Sequence, residues 1–408
     1  MGSTKTSRGF FARNRSVFVL GLSALIIAAT ADLFAGLFLK SMEAYILAVP
    51  GMMVLIYSAI GMRGNIYGAM GSRLGTSMHM GTFRMSFAKG GILRNNMEAT
   101  LALTLVLSIS MGIIGWVIVR FFFQGDIDPL GFIFISTAGG LLAGLVVMVF
   151  NIIIAFEGYK HDWDVDNITA PLIAAVGDIV TVPMIFLSTW LFLHWDPLLT
   201  DACCLVLIAF TFVVIARIIR RKKSRKGRMD ESKRIVVQSI PVLIVCLFFE
   251  IGAGIVIQGQ EARLLEFAVL MIMMPAFLNE GNALSGMLTS RLSSMLHLGT
   301  LRVQPLPPRE AYENFGIMYI MAFVTFVIIG VAAYMVSGSD NVSFLATMFI
   351  VVAAGMVTTT VLNFLSYYVA ILAVRFNLDP DDHSIPVTSS IMDLAGSMIM
   401  IAVVLAVL

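Results

Sequence analysis

Apolar runs near twenty residues long recur through this chain, and they decide what it can fold into. Eleven are recognisable, with cores at about 16–39, 42–60, 98–121, 131–156, 168–193, 199–219, 235–258, 264–279, 314–336, 342–370 and 385–408. A helix rising 1.5 Å per residue needs about twenty such residues to cross ~30 Å of hydrocarbon. In lipid only a helix or a closed barrel satisfies its own backbone polar groups. Composition agrees, with 59% of the 408 residues hydrophobic and 13% charged. A soluble domain carries about 25% charged residues, so a soluble core with a polar shell is excluded. The expected fold is an all-α integral membrane protein with about eleven transmembrane helices.

The first run follows Lys5, Arg8, Arg13 and Arg15. It is too long for the apolar core of a signal peptide, and no small-residue cleavage site follows, so it reads as the first span. Cys203, Cys204 and Cys246 lie inside apolar runs and fit no disulfide framework or thiolate metal spacing.

Lys and Arg alternate between connecting segments. The N-terminus, the stretch bearing Arg63, Arg73, Arg84, Lys89 and Arg94, the run 217–234 and the stretch with Arg291, Arg302 and Arg309 are basic. The opposite set carries Asp126, Asp128, Asp196, Asp201 and Asp340. The bias predicts a cytoplasmic N-terminus and an outside C-terminus, and the expected setting is the plasma membrane, crossed many times. Beside a membrane helix, the cluster Arg220 to Lys226 reads as a topology determinant touching anionic lipid rather than a nucleic-acid site.

Three blocks occur twice in the same order. Gly64-Asn65, Ser72-Arg73-Leu74 and His79-Met80-Gly81-Thr82 reappear as Gly281-Asn282, Ser290-Arg291-Leu292 and His297-Leu298-Gly299-Thr300, offset by 217 or 218 residues. Asp164-Val165-Asp166-Asn167, Pro171 and Asp178 match Asp379-Pro380-Asp381-Asp382, Pro386 and Asp393 at an offset of 215. More loosely, Asp32 with Ala35-Gly36 matches Glu250 with Ala253-Gly254 at 218. Five helices per copy would leave the second copy inverted. The helix at 199–219 restores the direction, so the two five-helix repeats are expected to be parallel about an axis along the membrane normal. The expected units are 1–198, a linking helix and basic loop at 199–234, and 235–408.

Asp178 and Asp393 carry the chemistry. Each falls about ten residues into an apolar helix, ~15 Å from its start and near mid-membrane. A carboxylate there costs at least ~2.5 kcal/mol and calls for a partner, a proton or a cation. Pro171, Ala174, Asp178 and Thr181 share one helix face; Pro386, Ser389, Asp393 and Gly396 share the other. Small residues around a carboxylate leave room for water, which suits Mg²⁺, an ion that keeps much of its hydration shell. With no His or Cys beside them, Zn²⁺ and Cu⁺ are disfavoured. Asp166, Asn167, Asp381 and Asp382 are good helix caps, or else an acidic entry vestibule. Gly64-Asn65 and Gly281-Asn282 offer a helix break and an amide oxygen to a hydrated ion. Asp32 and Glu250 either snorkel, or line an outer vestibule or a coupling-ion site. His79 and His297 read as interfacial.

Together these motifs resemble the MgtE-type magnesium transporters, closest to the solute carrier family 41 branch, where two such domains are fused. The resemblance implies a pore between the halves, lined by the second and fifth helices of each. It places the intramembrane metal-binding Asp at Asp178 and Asp393 and makes the monomer a covalent pseudo-dimer. It departs from the family at Ser58, where Pro275 of the second copy keeps the usual proline, and at Asp382, which replaces Asn167. The implied cargo is Mg²⁺, with Mn²⁺, Co²⁺ or Ca²⁺ as alternatives. A Na⁺-coupled Mg²⁺ exchanger is a second reading, and Na⁺ its coupling ion. A membrane enzyme would need a nucleophile and base at membrane depth, and none is seen. A carrier of organic anions would need buried Arg or Lys, and none is expected at the helix centres.

Overall fold

The computed structural model describes residues 17–88, 90–161, 165–221, 229–297, 299–338, 342–376 and 384–408, and every regular element among them is helical. After a π-helical turn at Val17–Gly21 come α1 (Leu22–Ser41), α2 (Glu43–Ala48), α3 (Met52–His79), α4 (Ile92–Phe122), α5 (Pro129–His161) and α6 (Val165–His194). Then follow α7 (Pro197–Ile219), α8 (Glu231–Gln258), α9 (Glu261–Glu266), α10 (Ala268–His297), α11 (Arg309–Ser337), α12 (Phe344–Phe376) and α13 (Ile385–Val407). Among the described residues nine helices are long and apolar enough to cross a membrane. The chain is a multi-pass, all-α membrane protein.

The long helices α3 and α10 fall outside those nine because of their polar load. Both stand where the sequence placed shorter second spans, at 42–60 and 264–279. At 42–60 the chain instead forms the short α2, turns at Gly51 with φ of 81°, and starts α3 at Met52. α3 then runs on to His79, and α10 to His297. Consequently Gly64-Asn65 and Gly281-Asn282 sit inside unbroken helices, not at a helix end or break. Arg63, assigned above to a basic connecting segment, is buried within α3. The expectation of no buried cation at a helix centre is corrected by that residue.

Packing repeats between the halves. α3, α4, α5 and α6 pack on one another, as do α10, α11, α12 and α13. The leading helix of each set is exchanged: α1 lies on α10, α11 and α6, and α8 lies on α3, α4 and α13. Glycine permits this close crossing. A Cβ added at Gly36 would stand 2.1 Å from the Ile272 carbonyl oxygen, and one at Gly254 would stand 2.9 Å from Val54 Cα. The Ala-Gly repeat thus holds the exchanged helices. α7 sits at the edge, mainly against α5, with 17% of its span buried.

The remaining repeated motifs are structural too. Arg73 Nε donates to Asn96 Oδ1 at 2.9 Å and Arg291 Nε to Asn314 Oδ1 at 3.0 Å, bracing the ends of α3 and α10 on α4 and α11. Gly81 (φ 65°) and Gly299 (φ 71°) take the left-handed conformation that ends a helix. Behind them Thr82 N donates to Ser77 O and Thr300 N to Met295 O, each at 3.0 Å. Past α7, Arg221 pairs with Glu98 of α4 and with Asp230 at the head of α8, at 3.4 Å for the latter. The side chains of His79 and His297 lie outside the described residues.

Gly36→Ala is expected to destabilise the fold by about 1–3 kcal/mol, because backbone must yield to the new Cβ. Gly64→Ala, whose Cβ meets nothing within 4 Å, is expected to be neutral or slightly stabilising. Thermal unfolding of the purified variants measures both.

Candidate ion-binding site

Four helices bring carboxyl groups together in two pairs. Asp178, near the middle of α6, meets Asp32 of α1, and the two carboxyls lie within hydrogen-bonding reach. Asp393 of α13 meets Glu250 of α8 in the same way. α1 keeps its contact with α6 of its own half and α8 with α13, while the exchange sets both helices against the other half, so the pairs stand at the seam. All four residues are at most 5% exposed. The pairs are also neighbours, since the charges of Asp393 and Glu250 both act on Asp178.

Amide and hydroxyl groups surround the acids. Asn279 Nδ2 donates to Asp32 Oδ2 at 2.7 Å, and Asn282 Nδ2 to Asp393 Oδ1 at 2.9 Å, both from α10. From α3, Asn65 Nδ2 donates to Glu250 Oε1 at 3.0 Å, and Ser390 Oγ donates to the same oxygen at 2.7 Å. Ser389 Oγ donates to Asn65 Oδ1 at 2.7 Å, so Asn65 joins α3, α8 and α13. Gly61 makes room for Glu250, whose Oε2 would be 1.9 Å from a Cβ at that position. Donors do not saturate the acids: Asp32 Oδ1, Asp178 Oδ2, Asp393 Oδ2 and Asn282 Oδ1 are buried without a hydrogen-bond partner. In a low-dielectric interior such oxygens are costly, and they are what a cation requires.

The other sequence candidates divide. Gly64 opens onto space, and one turn on Gly68 does too. Gly281 is packed beside Thr358, and Pro386 is buried. Ala174 and Ser389 are half-buried. The Thr181 hydroxyl is fully buried and donates at 2.6 Å to Gly177 O of its own helix, so it is not offered to a lumen. Asp381 lies outside the described residues, as do the side chains of Asp166 and Pro171. Asp32 and Glu250 belong to the central cluster rather than to an outer vestibule. Sequence reasoning missed Asn279, Glu280, Ser390 and Gly61. The available signal was Asn279-Glu280-Gly281-Asn282, four consecutive small or polar residues in an otherwise apolar helix. Glu280 is buried, accepts from Thr325 Oγ1 at 2.6 Å, and lies close enough to Asp32 for the charges to interact. Among the described residues no three His, Cys, Asp or Glu side chains are arranged to hold a metal ion directly.

Comparison with known proteins gives the site its setting. The family model for MgtE, a divalent cation transporter, matches residues 56–188 and 274–403, one match in each half. Solute carrier family 41 member 3 from Mus musculus is 24% identical over 86% of this chain and 74% of its own length. The Rattus norvegicus protein of the same name is 23% identical over 86% of this chain and 78% of its own. A crystal structure of a eukaryotic MATE transporter aligns over 97% of this chain and 96% of its own, at 10% identity and a TM-score of 0.35, too low to bear on the fold. Two family matches in one chain, taking in Asp178 and Asp393 and together covering more than half of it, show that this protein belongs to the MgtE family of divalent cation transporters, together with the solute carrier family 41 proteins.

Proposed function

We propose that the protein moves Mg²⁺ through a pathway between its halves, and that Asp178 and Asp393 hold the ion midway. The observation carrying this reading is the convergence of two acid pairs with unpaired oxygens at the seam of a divalent cation transporter. Oxygen donors without His or thiolate suit a hard cation. Mg²⁺ sheds water reluctantly and is usually held by one or two carboxylates plus several waters. Amides and hydroxyls at Asn65, Asn282 and Ser389 suit such a hydrated ion, and Gly64 and Gly68 give it width. Mn²⁺, Co²⁺ and Ca²⁺ share the same donor chemistry.

On this reading α3 and α10 cross the bilayer shielded by the other helices, which brings the spans to eleven. The two halves run parallel, and one chain in lipid suffices as a pseudo-dimer. The N-terminus is cytoplasmic, the C-terminus outside, and the membrane is the plasma membrane. The units 1–198 and 235–408 serve as the two repeats, joined by 199–234.

One observation favours a second reading, Mg²⁺ export coupled to Na⁺ entry. Glu280 adds a further carboxylate close to Asp32, at the position where the first half has Arg63. Unequal pairs suit two different cations.

Mg²⁺ flux into proteoliposomes tests the assignment. Asp178→Ala combined with Asp393→Ala is expected to abolish flux; undiminished flux would contradict it. Asn282→Ala, which removes the donor orienting Asp393, is expected to cost about tenfold. An imposed Na⁺ gradient leaves flux unchanged under the first reading and accelerates it under the second.

A further inference from the structure

Arg63 lies outside the transport reading. It is 2% exposed, and its Nε and Nη1 have no hydrogen-bond partner. Among the described residues no carboxylate forms an ion pair with it. It projects from α3 on the side away from Gly61 and Asn65, which face Glu250. Tyr67, one turn on, shares its face, and the Tyr67 hydroxyl meets Thr104 Oγ1 at 3.1 Å. The guanidinium is laid along α5, where Gly140 and Gly144 have no side chains to displace it. A Cβ at Gly140 would be 3.0 Å from Arg63 Nη2 and 2.1 Å from Ser108 Oγ; one at Gly144 would be 3.3 Å from Nη1 and 2.5 Å from the Tyr67 hydroxyl. One turn before Gly140, Thr137 of α5 presents a fully buried hydroxyl without a partner.

This polar seam belongs to the first half alone. Asn96 and Asn314, each bound by its arginine, set the register of α4 against α11. In that register Thr100, Thr104 and Ser108 become Met318, Ala322 and Phe326. Gly140 becomes Gly355, whose added Cβ would lie 2.2 Å from the Phe326 ring, and Thr137 becomes Val352. Arg63 itself corresponds to Glu280 in the register of the Gly-Asn pairs. The hydroxyls thus stand where the other half has apolar filling, and the cation where it has a buried acid.

A guanidinium stays protonated, only donates, and is expensive to bury without an opposite charge. We propose that the α3–α4–α5 seam binds a small monatomic anion of the chloride class as the counter-ion of Arg63, with the unpaired hydroxyl of Thr137 as a further donor. The tight lining by Gly140 and Gly144 disfavours larger oxyanions. The proposal does not depend on the identity of the transported cation.

Thermal unfolding of the purified full chain in sodium chloride, sodium bromide and sodium gluconate at constant ionic strength tests this. The wild type is expected to show a saturable rise in unfolding temperature with chloride and bromide but not with gluconate. Arg63→Met is expected to abolish the response, and Thr137→Val to raise the half-saturating chloride concentration several-fold. Identical unfolding in chloride and gluconate, or a full chloride response in Arg63→Met, would overturn the proposal. If Arg63→Met fails to fold, Thr137→Val carries the test, and an unchanged chloride midpoint in it would overturn the proposal.

Discussion

Carboxyl groups pressed together inside apolar helices are the constraint around which the structure is arranged. Two carboxylates in a low dielectric repel strongly and lose their hydration. Asp32 with Asp178 and Glu250 with Asp393 are tolerable only if something positive, a proton or a cation, is shared between them. The surroundings are built to orient the acids rather than to neutralise them. Asn279, Asn282, Asn65 and Ser390 each give one neutral hydrogen bond and leave other oxygens open. A closed salt bridge would have filled those oxygens and removed any reason for an ion to visit.

The fold serves this arrangement through exchange. Had α1 stayed with its own α3, Asp32 would face only its own half. Gly36 lets α1 cross tightly onto α10, and Gly254 lets α8 cross onto α3, so each acid pair is assembled at the seam. The polar helices α3 and α10 then run through the middle of the molecule, where their amides are needed and lipid cannot reach them. Movement of one half against the other would change the distance between the pairs, which gives a route from packing to transport.

Much of this was legible in sequence. Asp178 and Asp393 stood out because a carboxylate ten residues into an apolar helix has few excuses, and because each appears in its copy of the repeat. The loosest repeat, Asp32 to Gly36 and Glu250 to Gly254, proved to hold both the partner acids and the crossing points. What hydropathy could not do was tell a polar helix buried in protein from a connecting segment. That is why α3 and α10 were cut short, Arg63 was assigned to a basic segment, and Asn279 and Glu280 passed unnoticed. Ser-Arg-Leu and His-x-Gly-Thr recur for structural reasons, a brace and a helix end, which spacing alone does not separate from function.

The central claim is that the acid pairs exist to hold a divalent ion. A crystal structure of the protein soaked with Mn²⁺, read by anomalous scattering, tests it most directly. The account predicts a metal peak between Asp178 and Asp393, within one water layer of both carboxylates. A peak confined to other residues, with all four acids fully hydrogen-bonded by protein donors, would contradict it.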